Sequence, residues 1–357
     1  MMANILQPAK SQTVQKTKLA MAGLTHGHSH WIFQKVLRED IELVGIYEPN
    51  KELANQFLEQ YALDEKLLYT DLDEMLDRTM PDGLLAFGPV YDHLRAVEAA
   101  APRSIHVMVE KPLAVSWEHA QKMEALAKKH NIHLLTNYET SWYPSTEKTY
   151  QLLKDKNQFG ELRKVVFHHG HKGPKEIGVD PEFLEWLIDP KLNGGGALMD
   201  FGCYGANIMT YFMDGSKPLS VTAITQTHKP GIYTEVEDEA TILLIYPGAQ
   251  AIIQASWNWP FDRKDMEAYG VKGQIIAPDA KSVIVRSPDT MGESRRMPLG
   301  TEVDIYRDPF EYFADVIRGE HEIKEFGLYS LENNMIVVGI LEAAKKSAQT
   351  GKSVKFE

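Results

Sequence analysis

The 357-residue sequence has a single cysteine, no long apolar run and no excess of positive charge. One thiol, Cys203, can form neither an internal disulfide nor a cysteine-rich zinc site, and this scarcity is typical of a reducing compartment, so we expect a cytoplasmic location. Polar or turn residues interrupt every apolar stretch before the roughly 18 residues that a membrane-spanning helix requires. The 38 basic and 50 acidic residues give a net charge of -12, which argues against nucleic acid or a membrane as a partner.

The remaining composition is that of a globular protein. Hydrophobic residues make up 43% of the chain and charged residues 25%, which excludes intrinsic disorder, collagen and small disulfide scaffolds. At roughly 150 residues per domain, the length predicts about two domains. The first 17 residues are polar and lack the apolar segment of a signal peptide, so we predict a flexible N-terminal arm over residues 1–17.

Strand and helix signals alternate in the first third of the chain. Short apolar strands over Leu19 to Ala22 and Ile41 to Tyr47 enclose a glycine turn and a predicted helix from His30 to Glu39, which together form a βαβ unit. The same alternation continues as far as the strand His106 to Val109. It predicts an α/β protein whose first domain, residues 18–138, contains a doubly wound, mainly parallel sheet.

The pattern changes after residue 138, where apolar and polar side chains alternate every two residues. It predicts an α+β domain over residues 139–335 with an open, mainly antiparallel sheet. Apolar residues then recur at helical spacing from Ile336 to Ala344, so we predict that residues 336–357 form a C-terminal helix and tail that pack back on the first domain. The predicted strands of the second domain are Lys164 to His169, Ser220 to Gln226, Glu239 to Tyr246, Ala249 to Trp257, Gly273 to Ala277 and Ser282 to Arg286.

The turn after the first strand has part of a dinucleotide-binding pattern. In the G-x-G-x-x-G pattern, glycines let the backbone approach a pyrophosphate at the N-terminus of the following helix. Gly23 matches the first position, whereas Thr25 and His28 occupy the other two. Glu48, at the end of the second strand, can accept hydrogen bonds from ribose hydroxyls and would repel a 2′-phosphate, which favours NAD over NADP. The alternative for Glu48 is a surface carboxylate before a proline turn.

His26, His28 and His30 alternate along this turn. Alternating histidines can bind a metal when they lie on an extended strand, but on a turn that leads into a helix their side chains diverge. We therefore expect no metal site here. Helix capping, hydrogen bonds within the loop and contact with a cofactor phosphate are the roles that the pattern favours.

The tripeptide Glu110-Lys111-Pro112 follows a buried strand of the first domain. This position is the carboxyl edge of the sheet, where open α/β sheets bind ligands. Pro112 favours an extended conformation at Lys111 and can therefore hold the amine in a fixed direction. The alternative is a surface lysine that pairs with Glu110.

Two further motifs accompany this tripeptide. Upstream, Pro89 and His93 follow the end of the preceding strand. Downstream, the glycine-rich segment 194–196 leads into a helical stretch in which Asp200 and Tyr204, four positions apart, share one face. Polar and ionisable side chains thus collect around the same predicted edge of the sheet.

The motifs together resemble those of the Gfo/Idh/MocA oxidoreductase family, which includes glucose–fructose oxidoreductase and inositol dehydrogenase. Glu110-Lys111-Pro112 is similar to the family's EKP signature, Pro89 and His93 to its P-x-x-x-H element, and Gly195 to Tyr204 to its G-G-x-x-x-D-x-G-x-H element. The likeness covers nearly the whole chain. It implies an N-terminal Rossmann domain, a C-terminal domain on a large open sheet, and hydride transfer between NAD(P) and a sugar or polyol at their interface.

The resemblance also implies roles for single residues. Lys111 is similar to the family's catalytic lysine and Asp200 to its conserved aspartate. Tyr204 stands where many members have histidine, although glucose–fructose oxidoreductase has tyrosine there, and Asn207 replaces a frequent aspartate. The residues implied in binding the cofactor, which we expect to be NAD rather than NADP, are Gly23, Thr25, His26, His28, Glu48, Gly88, Pro89, His93, Glu110, Lys111 and Pro112.

Candidate substrate contacts come from aromatic side chains with polar neighbours, which suit the apolar face and hydroxyl rim of a sugar. Trp142, His169, Trp186 and Asn207 are the candidates. The alternative for these residues is an ordinary place in the protein core.

These patterns predict an NAD-dependent oxidoreductase that acts on a secondary alcohol of a sugar, polyol or glycoside, or on the matching keto sugar. Lys111 would serve as proton donor and acceptor with a pKa lowered by burial, assisted by Asp200 and Tyr204. Two alternatives use the same residues: an NAD-dependent glycosidase that works by transient oxidation and elimination, and a non-catalytic dinucleotide-binding regulator. The open sheet face, a common dimer surface among relatives, predicts a homo-oligomer, either a dimer or a tetramer.

Overall fold

The computed structural model describes residues 16–35, 38–306 and 308–356. Its first part contains the strands β1 (Thr17–Ala22), β2 (Ile41–Tyr47), β3 (Leu68–Tyr69), β4 (Gly83–Ala86), β5 (His106–Glu110) and β6 (Leu134–Asn137), and the helices α1 (Lys51–Tyr61), α2 (Leu72–Thr79), α3 (His93–Ala100) and α4 (Trp117–His130). The strands form one sheet in the order β3-β2-β1-β4-β5-β6, and every pair is parallel. The predicted doubly wound sheet is confirmed. Residues 1–15 of the predicted arm lie outside the described residues.

Local sequence signals determine where these helices begin. Asn50 caps α1 by accepting hydrogen bonds from the N–H groups of Glu52 and Leu53, and Ser116 caps α4 through the N–H of His119. Separate apolar clusters cover the two faces of the sheet. Because both faces are covered, β4 has no exposed side chain, as is usual for parallel strands.

The segment after β1 differs from the prediction. Gly27–Phe33 forms a short 3₁₀ helix in place of the predicted α-helix from His30 to Glu39, and residues 36–37 lie outside the described part of the chain. The segment is rich in ring side chains, which lose rotamer freedom against the preceding turn of an α-helix. Here the rings pack on α1 instead, as His30 does on Phe57, with 4.6 Å between ring centroids.

The second part begins with α5 (Pro144–Lys154), β7 (Leu162–Gly170), α6 (Pro174–Ile177), α7 (Pro181–Leu187), α8 (Ala197–Asp200) and α9 (Gly202–Phe212). The strands that follow are β8 (Ser220–Gln226), β9 (Glu239–Tyr246), β10 (Ala249–Ser256), β11 (Arg263–Gly270), β12 (Gln274–Asp279), β13 (Ser282–Arg286), β14 (Arg295–Pro298) and, at the C-terminus, β15 (Val354–Lys355). Together with β7, these eight strands form a nine-stranded sheet in the order β14-β13-β12-β11-β7-β10-β9-β8-β15. Only β7 and β10 pair in parallel among the described strands of this sheet, which confirms the predicted, mainly antiparallel arrangement.

Three strands of this sheet were not predicted. β11 begins with Arg263, Lys264 and Asp265, so charged residues stand on both of its faces and hide the alternation that marks a strand. β14 and β15 are short edge strands. Their patterns are too brief to be distinguished from loops.

Alternate side chains of the second sheet have different surroundings. Val165, Phe167 and Ile253 belong to the set that is buried in the core. Ile224 and Gln250, on the opposite face, are exposed. The use of this open face in a homo-oligomer stays a prediction, as does the cytoplasmic location.

Two C-terminal helices return to the first sheet. α10 (Pro309–Ile317) packs Phe310 and Phe313 in one cluster with Leu19 and Met21 of β1. A segment of the predicted second domain therefore completes the core of the first. The domain boundaries themselves stay predictions.

The last helix, α11 (Leu331–Thr350), begins earlier than predicted because Ser330 caps it by accepting a hydrogen bond from the N–H of Asn333. Its side chains enter two cores. Met335 lies in a cluster with residues of the first sheet and α4, whereas Ile340 lies in the cluster beneath the second sheet. No helix in the described part of the chain is both long and apolar enough to cross a membrane.

A buried polar contact fixes α11 against α9. Asn207 of α9 is fully buried, and its side-chain N–H group donates to the carbonyl oxygen of Leu328 at 2.6 Å and to Oδ1 of Asn333 at 3.2 Å. Asn333 donates in return to the carbonyl oxygen of Asn207 at 3.4 Å. The structure therefore gives Asn207 a place in helix packing.

We expect Asn207→Ala to lower the free energy of unfolding by about 1–3 kcal/mol, because it leaves buried partners without a hydrogen bond. Urea unfolding measures the effect, and Asn157→Ala, at an exposed position, serves as the control. An effect no larger than that of the control contradicts the assigned role.

Candidate active site

The structure brings three predicted residues together where the two parts of the chain meet. Lys111 follows β5, and its Nζ donates to the backbone carbonyl oxygen of Asp200 at 3.1 Å and forms an ion pair with the Asp200 carboxylate. The Nε1–H group of Trp257 donates to the other carboxylate oxygen at 2.9 Å. Tyr204, one turn beyond Asp200, places its ring centroid 5.1 Å from the Lys111 ammonium. The ion pair is almost fully buried.

This pairing corrects the expected state of Lys111. Burial favours a lower pKa for the amine, but the Asp200 carboxylate outweighs burial and raises the pKa of Lys111 above its usual value. Burial likewise favours a higher pKa for Asp200, and the Lys111 ammonium holds that pKa below its usual value. The predicted lowering of the Lys111 pKa is wrong. The side chain is an ammonium near neutral pH and hence a proton donor.

The hydroxyl of Tyr204 is also suited to donate. Burial raises the pKa of Tyr204 well above its usual value, and the neighbouring Glu139 and Asp200 carboxylates raise it further. The phenol therefore stays protonated at neutral pH. It can give a hydrogen bond to a ligand but cannot accept a proton.

The glycine segment before α8 positions Asp200. A Cβ on Gly196 would lie 1.9 Å from the carbonyl oxygen of Glu237, so only glycine fits this approach. The half-buried Glu237 carboxylate accepts hydrogen bonds from the N–H groups of Gly196 at 3.0 Å and Leu198 at 2.9 Å. These contacts hold the start of α8, and Asp200 at its end, in a fixed place.

Glu110 is the centre of a buried hydrogen-bond network. Its Oε1 accepts from Asn137 Nδ2 at 2.6 Å, and Asn137 Oδ1 accepts from Trp142 Nε1 at 2.8 Å. Its Oε2 lies 3.0 Å from His28 Nδ1 and 3.8 Å from His26 Nε2. Trp142, a predicted substrate contact, therefore stabilises the position of Glu110 through Asn137.

His26, His28 and Glu110 have ligand atoms within 4.8 Å of one another, a spacing that a metal ion could use. Burial keeps both imidazoles neutral, with the pKa of His28 lowered to about 3. His26 Nδ1 accepts a hydrogen bond from the His28 N–H at 3.0 Å, so the proton of the neutral ring occupies Nε2, the atom a metal would need. These contacts favour the predicted hydrogen-bonding role of the turn, and the absence of a metal site stays a prediction.

A cavity of about 330 Å³ lies at the carboxyl edge of the first sheet. Its lining includes six predicted cofactor residues, namely Gly23, Thr25, Glu48, Gly88, Pro89 and His93. Gly23 has a φ of 85°, and a Cβ there would lie 2.9 Å from the Gly88 Cα, so glycine is needed at this turn. Nε2 of His93 is buried without a hydrogen-bond partner among the described residues. The cavity and this orphaned atom fit part of a dinucleotide.

The remaining predicted cofactor residues, namely His26, His28, Glu110, Lys111 and Pro112, are not among the residues that line this cavity. His26 and His28 contact Glu110, as described above, and the Lys111–Pro112 peptide bond is cis. The segment that would receive the pyrophosphate is the 3₁₀ helix Gly27–Phe33. It does not supply the α-helix N-terminus that the glycine pattern predicts.

Glu48 holds the glycine turn as well as lining the cavity. Its two carboxylate oxygens accept hydrogen bonds from the N–H groups of Leu24 and Asn50, each at 2.9 Å. The side chain is 4% exposed, and burial raises its pKa above the usual value. The alternative of a surface carboxylate is wrong.

The other predicted substrate residues have separate surroundings. Trp186 of α7 donates its indole N–H to Thr25 Oγ1 at 3.0 Å and so covers the glycine turn. His169 is buried with its ring centroid 5.6 Å from that of Tyr204, and its Nδ1 has no hydrogen-bond partner among the described residues. Asn207 lies in the contact between α9 and α11.

Sequence reasoning missed a second ion pair at the site. Lys264 of β11 pairs with Glu139, which also accepts a hydrogen bond from the Tyr143 hydroxyl. The Lys264 ammonium lies 5.2 Å from the centroid of the Tyr204 ring. The register of β11 against β7 is the signal that could have placed Lys264 here, but β11 was not recognised as a strand.

Comparison with family models matches both parts of the chain. Residues 17–138 match the model of an oxidoreductase family with an NAD-binding Rossmann fold, and residues 148–276 match that of the GFO/IDH/MocA C-terminal domain.

Individual proteins are similar over most of their length. The D-xylose 1-dehydrogenase [NADP(+)] of Haloarcula marismortui is 22% identical, over 88% of this chain and 85% of its own. The trans-1,2-dihydrobenzene-1,2-diol dehydrogenase of Xenopus laevis is 31% identical, over 67% of this chain and 70% of its own. Among solved structures, an inositol dehydrogenase homolog from Azotobacter vinelandii complexed with NAD+ has a TM-score of 0.82 at 18% identity, covering 97% of this chain and 98% of that one, which supports the fold.

A double-mutant cycle tests the buried ion pair. We expect Lys111→Met and Asp200→Asn each to lower the free energy of unfolding by about 3–5 kcal/mol, since either change leaves a buried charge unpaired. The double variant should lose clearly less than the sum of the two, because it buries no charge. Guanidinium unfolding of the four proteins measures this coupling, and additive losses contradict it.

Proposed function

The chain belongs to the Gfo/Idh/MocA family of oxidoreductases, and on that premise we propose that it transfers a hydride between NAD and a secondary alcohol of a sugar or polyol, or the matching ketone. The observation that carries this proposal is the buried Lys111–Asp200 pair, whose lysine follows β5 of the same sheet that holds, at its carboxyl edge, a cavity fitting part of a dinucleotide. A protonated amine in that place supports proton transfer to or from a substrate oxygen.

Lys111 is the proposed proton donor in the direction of reduction. Its ammonium gives a proton from Nζ to the carbonyl oxygen, and Asp200 keeps the amine charged and oriented. Tyr204, which stays protonated, is available as a second hydrogen-bond donor. The bound dinucleotide supplies the nicotinamide ring that gives or takes the hydride. In the direction of oxidation, Lys111 must lose its proton before it can accept one from the alcohol.

The similar enzymes support a polyhydroxylated substrate. Their names identify D-xylose and a trans-1,2-diol as substrates, and both molecules carry neighbouring hydroxyl groups. A panel of D-xylose, D-glucose, myo-inositol, a trans-dihydrodiol and a methyl glucoside, each with NAD and with NADP, tests the proposal by the absorbance of reduced nicotinamide. If no member of the panel leads to reduction of NAD or NADP, the proposal is contradicted. Cleavage of the glycoside without net reduction of the dinucleotide would favour the glycosidase that works by oxidation and elimination.

Proton transfer by Lys111 has a directional pH dependence. The pKa of Lys111 is raised, so the ammonium is present throughout neutral pH. We expect kcat/KM for reduction to be constant from about pH 6 to 9, and kcat/KM for oxidation to rise about tenfold per pH unit over that range as the small neutral fraction grows. Steady-state kinetics in both directions check this. An oxidation profile that levels off near neutral pH would point to another base.

The Lys111→Met variant tests whether turnover requires the Lys111 amine. It should abolish turnover in both directions while NAD still binds, because the predicted cofactor residues that line the cavity are unchanged. NAD binding is measured by fluorescence titration. Retained turnover contradicts the assigned role.

Glu48 is proposed to favour NAD over NADP. A negative charge at the cavity repels a 2′-phosphate, so we expect Glu48→Gln to narrow the ratio of NADP to NAD dissociation constants by about tenfold. Glu52→Gln, on the exposed start of α1, is the control. Tighter binding of NADP than NAD by the wild type contradicts this proposal.

A further inference from the structure

Lys264 lies on the same face of the second sheet as other residues of the site. In the antiparallel register of β11 and β7, Lys264 stands opposite His169, so the two side chains point to the same side. His169 is buried, and its Nδ1 has no hydrogen-bond partner among the described residues. Tyr138, whose ring centroid lies 5.6 Å from that of Tyr204, likewise has a buried hydroxyl without a partner. Two polar atoms without partners thus belong to residues whose rings pack near Tyr204, the ring that the Lys264 ammonium also approaches.

The Lys264–Glu139 pair is more accessible than the Lys111–Asp200 pair. Its side chains are 24% and 30% exposed, compared with 6% and 7% for Lys111 and Asp200. The Tyr143 hydroxyl donates to the Glu139 carboxylate and holds it in place. A ligand that enters the site can therefore reach this second pair without displacing the first.

The ring of Tyr204 lies close to the ammonium groups of both pairs. The ammonium groups of Lys111 and Lys264 lie 5.1 Å and 5.2 Å from the centroid of its ring, so they are at most about 10 Å apart. One sugar-sized molecule with a hydrogen bond at each end can extend across such a separation. Both ammonium groups therefore lie within reach of one such molecule.

We propose that the Lys264–Glu139 pair is a second substrate-binding element of this site, which takes a hydroxyl group other than the one at the reacting carbon. A hydroxyl both donates and accepts, and the pair offers an ammonium donor beside a carboxylate acceptor. The inference rests on the proposed function, since it concerns the substrate of that reaction.

The same arrangement selects for an uncharged substrate. Lys111 and Lys264 each already have a carboxylate partner, so neither of these two described lysines is left unpaired to balance a substrate carboxylate or phosphate. The pair therefore acts as a specificity-determining element that favours neutral sugars and polyols over sugar acids and sugar phosphates.

Removal of the ammonium tests the binding role. Lys264→Met keeps the aliphatic stem and should lower kcat/KM for the best neutral substrate of the panel about 10- to 100-fold, mainly through KM, because a charged hydrogen bond to the substrate is lost. Lys272→Met, in the exposed turn at the other end of β11, is the matched control. NAD binding and thermal unfolding are measured on both variants. A KM equal to that of the control overturns the proposal.

Glu139→Gln tests the proposed selection of neutral over acidic substrates. A Lys264–Glu139 pair with only a structural role would not affect this selection. The change leaves the Lys264 ammonium without a counter-charge, so D-glucuronate should gain relative to D-glucose. We expect the ratio of their inhibition constants, measured against turnover of the best substrate, to shift at least about tenfold toward the acid. An unchanged ratio overturns the proposed selection.

The experiments distinguish failure of the proposed function from failure of the second substrate-binding element. If the wild type reduces neither dinucleotide on any panel member, the proposed function is wrong and this inference falls with it. If the wild type turns over and Lys264→Met and Glu139→Gln behave as the control does, only the second binding element is wrong.

Discussion

The fold and the site both depend on the buried ion pair between Lys111 and Asp200. One partner follows a strand of the first sheet, and the other ends a short helix of the second part. A buried charge without its partner is strongly destabilising, so any packing of the two parts that buries these charges apart is disfavoured. The same contact keeps the amine protonated. Domain packing and proton chemistry are therefore set by one interaction.

Around this pair, the polar side chains of the site form hydrogen bonds with one another. Trp257 fixes the Asp200 carboxylate, and Asn137 and His28 hold Glu110. Burial leaves the nearby histidines neutral, as the pKa of His169, lowered to about 3, illustrates. Such a network is preorganised, since its side chains already have fixed directions before a ligand arrives. The electrostatic field that meets a ligand comes from paired rather than free charges.

Local patterns predicted much of this arrangement. The tripeptide at the end of β5 and the glycine segment before Asp200 could be identified because turns and strand ends depend on neighbouring residues in the sequence. The pairing of Lys264 with Glu139 was not, since it depends on the register of a strand whose charged residues hide its pattern. The raised pKa of Lys111 could not be predicted locally, because it depends on contact with Asp200, which lies far along the chain. The 3₁₀ segment after β1 depended on ring packing against α1, which no local pattern contains.

Helix α11 has a consequence for how the chain reaches this structure. It supplies Met335 to one core and Ile340 to the other, so both cores stay incomplete without it. Domains of a nascent chain commonly fold one after the other as they leave the ribosome. Here the first sheet lacks part of its cover until the last segment has been synthesised. We therefore expect the two halves to reach their final packing together, after translation ends.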